Sequence, residues 1–202
     1  MSEEMRVLRA LQLKGLPAER ELAAAIGVHS GALRQLLGAM PEWCAEERGR
    51  FRLTPAGRDR LDRELAAERD RVDRPGLLAS YERFIVHNAV AKRIFTDWQL
   101  IDETTVNDHG DPGYDARVIG RLAELHEAAR EDLAGIVGLA PRLAPYPRRL
   151  AEALHHVRGG EPAWLTSPLV DSYHTVWFEL HEELLGLTGL ARADEAAAGR
   201  AE

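Results

Sequence analysis

Glu21–Met40, ELAAAIGVHSGALRQLLGAM, and Gly49–Leu61, GRFRLTPAGRDRL, decide the reading of this chain. In the first stretch Leu22, Ala23 and Ile26 share one face of a helix spanning 18–26. Gly27 permits a tight turn. Ser30 is a suitable N-cap for a third helix, 31–40, with Leu33, Leu36, Leu37 and Met40 inward. Pro41 stops it. Towards the N-terminus, residues 3–13 form a short helix with Met5, Leu8 and Leu11 on one side. Lys14-Gly15 ends that helix, and Pro17 suits the start of the next. Towards the C-terminus, extended pieces at 43–46 and 50–53 flank a turn at Arg48-Gly49, where Gly49 supplies the positive φ that hairpins need. Thr54-Pro55 then caps and opens a long helix over 56–70. The order helix, helix, turn, helix, β-hairpin, helix is that of a winged helix-turn-helix, assigned to residues 1–74.

With its central Gly27 and the Leu-Thr-Pro-x-Gly-Arg sequence after the hairpin, this segment resembles the MarR-type regulators. It is also similar to the winged-helix dimerisation module of small-molecule O-methyltransferases, in which Leu33-Arg34-x-Leu36-Leu37 is typical and DNA is not bound. The first resemblance implies a DNA-binding homodimer. The third helix would enter the major groove of double-stranded DNA with His29, Ser30, Gly31, Arg34 and Gln35 near base edges. Arg can read guanine and Gln adenine. Arg48, Arg50 and Arg52 on the hairpin would meet phosphates or a minor groove. The competing reading is a solvated helix face and hairpin, and Glu46-Glu47 beside the turn weigh on that side.

Charge is divided unevenly along the chain. Its 202 residues carry a net charge of −7. Residues 1–74 hold 14 basic and 13 acidic side chains, and residues 75–202 hold 12 and 20. Between Arg48 and Arg63 six arginines face only Asp59 and Asp62. That division suggests two parts with different partners. No stretch approaches the roughly 18 apolar residues of a membrane span, and the acidic N-terminus lacks a secretory h-region. The expected location is the cytoplasm, with no membrane partner. A single cysteine, Cys44, rules out an intramolecular disulfide and a multi-cysteine metal site. It is read either as a redox-sensing thiol, if arginine lowers its pKa, or as a small hydrophobe.

From Pro75 onward every periodic segment is helical: 77–100, 114–137, 143–157 and 169–187. Long helices with short connections predict an antiparallel four-helix bundle over 75–193, followed by a flexible tail over 194–202. The expected fold is therefore mainly α, a winged helix-turn-helix domain followed by an all-α bundle. The longest connection, IDETTVNDHGDPG at 101–113, is polar enough to be functional, although Asn and Asp also favour turns on local grounds. It lacks the carboxylate spacing of an EF-hand.

At about 100° per residue, His174 and His181 fall within the apolar stripe of the last helix, with Glu179, Glu182 and Glu183 on its outer side. Asp115 and His126 lie on the stripe of the second helix and His87 on that of the first, whereas His155 and His156 face outward. Buried imidazoles need partners for both ring nitrogens. Each of the four can be satisfied separately, with Tyr81, Tyr114, Tyr173, Asp115 and Asp171 available. Alternatively His87, Asp115, His126, His174 and His181 line a shared site for a divalent metal or a small-molecule effector. No cofactor is otherwise expected.

The strings TDWQL, NDHGDPGYDA and DSYHTVWFELHEELLGLTG are similar to a helical module of high-GC bacteria that follows a winged helix. It occurs in stand-alone candidate regulators and at the end of some proteins related to phosphoenolpyruvate-utilising phosphotransferases. No G-x-S-x-G, H-E-x-x-H, P-loop or G-x-G-x-x-G motif is present, and no strand-bearing region follows the winged helix to bind S-adenosylmethionine, so an enzyme is not indicated. Two functions lead, with a metal-dependent enzyme in the bundle ranked well below both. One is a one-component transcriptional regulator whose bundle senses a ligand or dimerises. The other is an interaction subunit that uses the winged helix for dimerisation and docks its acidic bundle on a partner enzyme.

Overall fold

The computed structural model describes residues 2–197 and 199, with backbone alone at 192–194. The chain divides into two compact units, 1–71 and 72–202. It is mainly helical with one two-stranded antiparallel sheet. The division falls three residues before the junction expected at 74/75.

In the N-terminal unit, α1 (Glu3–Lys14) is capped by the Ser2 side chain and ends at Gly15, whose φ is 74°. α2 (Glu19–Ile26) ends at Gly27 in the left-handed region, as the turn requires. α3 (Ser30–Gly38) differs from expectation at both ends. Its N-cap is His29, whose Nδ1 accepts from the Ala32 N–H at 3.1 Å, and Ser30 is already helical. An imidazole nitrogen does here what a hydroxyl was expected to do. Met40 lies beyond the helix but is still buried.

β1 (Cys44–Glu47) and β2 (Arg50–Leu53) pair with Glu47 opposite Arg50, leaving Arg48-Gly49 as a two-residue turn. Both have positive φ, 53° and 77°, the requirement of a type I′ hairpin. The chain between α1 and α2 lies along β2: the Phe51 N–H donates to Pro17 O, and Ala18 bridges Arg50. α4 (Pro55–Arg69) starts with Thr54 as cap and Pro55 in its first turn. Gly57 has a steric cause, because a Cβ there would come within 2.1 Å of the Trp43 carbonyl oxygen. Leu8, Leu22, Leu33, Leu53 and Leu61 from five of these elements share one core.

The C-terminal unit contains α5 (Arg74–Gln99), α6 (Pro112–Leu139), a 3-10 turn (Pro141–Leu143), α7 (Pro145–Arg158), α8 (Ala163–Thr166), α9 (Tyr173–Thr188) and α10 (Arg192–Ala197). Asp73 and Asp111 cap α5 and α6, each with proline in the first turn. The four long helices pack in a ring, α5 on α6, α6 on α7, α7 on α9 and α9 on α5. Neighbours run antiparallel. Asp97 of α5 meets Arg121 near the start of α6, and Arg83 meets Asp132 further along it. Tyr81 and Asn88 of α5 meet His181 and Trp177 of α9 in the reverse order. Tyr81, Phe84, Tyr173 and Trp177 fill the centre, with Phe84 stacked on Trp177 at 4.9 Å.

Two expectations for the last long helix are corrected. It begins at Tyr173, with Ser172 as its cap, and Leu169 is 79% exposed outside it. Glu179 and Glu183 are buried, not outward. α9 packs on α5, α7 and α8, so the side facing away from α5 is also interior. Of the expected tail, Arg192–Ala197 is helical and Glu195 is buried, accepting from the Tyr81 hydroxyl at 2.7 Å. Positions 198 and 200–202 lie outside the described residues.

Candidate functional site

The first candidate surface combines α3 and the hairpin. His29, Ser30, Gly31, Arg34, Gln35, Arg48, Arg50 and Arg52 are all exposed. From Leu22 to Pro41 there is no acidic residue. The arginines are nevertheless held. Arg34 Nε donates to both carboxylate oxygens of Glu19, at 2.9 and 3.0 Å. That bond keeps the Glu19 carboxyl below its ordinary range and raises the Arg34 guanidinium. Arg50 donates to Leu16 O at 2.9 Å and lies 3.9 Å from Glu21, and Arg52 lies 3.8 Å from Glu47. Arg48, at the tip, has no ion-pair partner among the described residues. Glu19 was missed in the sequence because it lies 15 positions from Arg34, on the preceding helix.

Beside Arg34 an open groove of about 530 Å³ runs between α3 and the hairpin, lined by Glu19, Leu37, Cys44, Glu46 and Phe51. Cys44 is buried, and loss of solvation pushes its thiol up to about 11. A thiol so disposed is protonated at neutral pH and unreactive, so the small-hydrophobe reading holds.

The second candidate is the set of bundle histidines, which the structure distributes. His87 Nε2 bonds Asp132 at 2.9 Å near the surface. This contact and Arg83 keep the Asp132 carboxyl below its ordinary range. His126 Nδ1 meets the Tyr173 hydroxyl at 3.2 Å, and burial lowers its pKa. His174 packs edge-on against Phe95 at 4.7 Å. His181 is buried, with Nε2 3.1 Å from the Tyr81 hydroxyl. Asp115 sits at the start of α6 and bonds Asn107 and His109. His174 and His181 line one cleft, with Asn88, Lys92, Phe95 and Trp177. Its volume of about 20 Å³ is room for a single water. Among the described residues no three His, Cys, Asp or Glu side chains are grouped to hold a metal ion. His155 is exposed, while His156 stacks on Trp164 at 4.0 Å and bonds Glu161 at 2.7 Å.

The polar loop at 101–113 is largely explained by its own folding. Asp102 accepts from the backbone N–H groups of Thr104 and Thr105, and Leu100 bridges Val106. Buried Asn107 donates to Trp98 O and Asp115. His109, at φ 59°, packs on Trp98.

Sequence reasoning missed the charge cluster between α7 and α9. Arg149 meets Asp171 at 2.9 Å and Glu179 at 2.8 Å, and Arg142 meets Glu183 at 2.9 Å. The Tyr146 hydroxyl donates to Glu183. Burial opposes the charge on Arg149, but Glu179 and Asp171 outweigh it, so the guanidinium is held charged. The available signal was α9 itself: Val176, Leu180 and Leu187 spread its apolar residues beyond one stripe, the mark of a helix covered on several sides.

Among the described residues, no helix is long and apolar enough to cross a membrane. No protein-family model, curated protein or solved structure matches the chain.

Proposed function

We propose that this protein is a transcriptional regulator of the winged helix-turn-helix kind, acting in the cytoplasm as a homodimer. α3 enters the major groove, with Arg34 and Gln35 at base edges, and the Arg48 tip and Arg50 and Arg52 meet the adjacent backbone or minor groove. One observation carries this reading. A single compact unit presents an acid-free helix, Ser30–Gly38, with Ser30, Gly31, Arg34 and Gln35 exposed, together with an arginine-bearing I′ hairpin tip. The helical unit senses a ligand or dimerises. A ligand there acts only by favouring one dimer geometry over another. Affinity follows geometry because half-sites recur about every 10 bp.

A second reading, an interaction subunit whose acidic bundle docks on a partner enzyme, is favoured by the Glu19–Arg34 pair. That contact neutralises the one arginine of α3.

The deciding experiment is selection of random genomic fragments by the purified protein, followed by salt titration of the best fragment. The regulator reading expects a palindromic site and a log–log salt slope of several units, about 0.9 per phosphate contacted. Arg34→Ala should relax base preference, and Arg48→Ala should weaken all sequences alike. No enrichment at about 50 mM salt, where phosphate contacts are strongest, overturns it in favour of the interaction subunit.

A further inference from the structure

We infer that the outward face of α5 is a self-complementary surface on which a second copy of this chain packs antiparallel. The inference names the interface of the homodimer proposed above but does not require DNA contact.

Ala79, Glu82, Val86, Ala89, Arg93 and Thr96 are all exposed and recur at intervals of three and four residues. That spacing lines one face of the helix, as a helix–helix seam requires. It lies opposite the face carrying Tyr81, Phe84 and Ala91, which is buried in the bundle. Val86 is 67% exposed and its neighbour Val90 43%, a pair of outward valines one helical turn apart.

Charge identifies the occupant. The six positions map onto themselves when the helix is reversed about the midpoint between His87 and Asn88. Ala79 then faces Thr96, Glu82 faces Arg93, and Val86 faces Ala89. Two copies related by a two-fold axis therefore join an apolar centre flanked at each end by a Glu82–Arg93 pair. A two-fold interface needs this property: residue i meets j, and j meets i. Parallel pairing would oppose Glu82 to Glu82 and Arg93 to Arg93. Within the chain, neither side chain has an ion-pair partner among the described residues. Ala79 and Ala89 let the helices approach to the usual 8–10 Å. A single seam buries less than the roughly 800 Å² per partner of a standard interface, so the dimer is weak and concentration-dependent.

Sedimentation velocity on the full chain tests this without DNA. A reversible monomer–dimer equilibrium is expected. Val86→Glu should weaken it at least about tenfold, as for a central anchor. Glu82→Arg and Arg93→Glu should each weaken it about three- to tenfold, the scale of exposed pairs turned repulsive. The double exchange should return the constant to within about twofold of the parent, since it restores opposite charges. All three substitutions lie on exposed positions, and unaltered thermal unfolding of the four variants confirms an intact fold. A chain that stays monomeric at millimolar concentration overturns the inference. So does a dimer indifferent to these changes, or a double exchange that fails to restore it. Failure of the DNA reading would appear separately, as absent fragment enrichment with the dimer intact.

Discussion

In the N-terminal unit, Arg34 meets Glu19 with its side chain 71% exposed; in the helical unit, Arg149 meets Glu179 and Asp171 with only 8% exposed. The bond lengths are nearly equal, but the physics differs. An exposed pair is screened by water and salt and adds little to stability, so a phosphate or a base edge can replace one partner at little cost. A buried pair has already lost its hydration, and removing one member strands the other. The first arrangement suits a surface that exchanges partners, and the second suits a scaffold that holds α7 against α9.

The largest expected effect tests the buried side of that contrast. Arg149→Met should lower unfolding free energy by about 3–5 kcal/mol, because Glu179 and Asp171 lose their common cation. Adding Glu179→Leu to Arg149→Met should recover part of the loss. Urea denaturation of both variants measures this. A loss below about 1 kcal/mol for the single variant, the exposed-pair scale, would erase the distinction between the two units.

Next in size is Gly57→Ala. The added methyl would collide with the Trp43 carbonyl at the base of the hairpin. The cost should be about 1–3 kcal/mol, as for overpacking, read as early loss of the N-terminal unit in denaturation followed by hydrogen exchange. Unchanged protection of β1 and β2 would mean that α4 shifts freely, and that the hairpin does not depend on this contact.

Local rules carried most of the element order. Thr54-Pro55, Gly27 and Gly49 mark their positions because caps and positive-φ turns depend on one or two residues. The cap at His29 was hidden because a ring nitrogen stood in for a hydroxyl. The buried glutamates were misplaced for a different reason. A helical wheel identifies one apolar stripe but does not reveal how many neighbours surround the helix, and α9 has them on more than one side. The histidines show the same limit. Periodicity placed four of them inward, but their separate partners, Asp132, Tyr173, Phe95 and Tyr81, are set by packing between elements.

On the exposed side, Glu19→Ala separates charge from positioning. It removes a negative charge beside the proposed DNA face, so affinity for random DNA should rise. It also frees Arg34 from its fixed orientation, so discrimination between the selected site and random DNA should fall, by about tenfold if one bidentate base contact is lost. Fluorescence anisotropy on both DNAs reads the two effects at once. Equal strengthening on both DNAs would show that Glu19 merely opposes phosphate and that the exposed pair orients nothing.

The smallest effect lies between the two extremes. His126 is half-buried against Tyr173, and loss of solvation lowers its pKa in the folded protein. The unfolded chain therefore binds a proton at that position more readily than the folded one. Its contribution to stability is present above the ordinary histidine pKa and is lost as pH falls below it. Between about pH 7 and 5, spanning the free imidazole value near 6.5, the parent should lose more stability than His126→Gln, which cannot take up that proton. Parallel pH slopes for the two proteins would place His126 with the exposed, well-solvated groups, leaving burial by α9 as a property of the Arg149 cluster and not of the wider bundle interior.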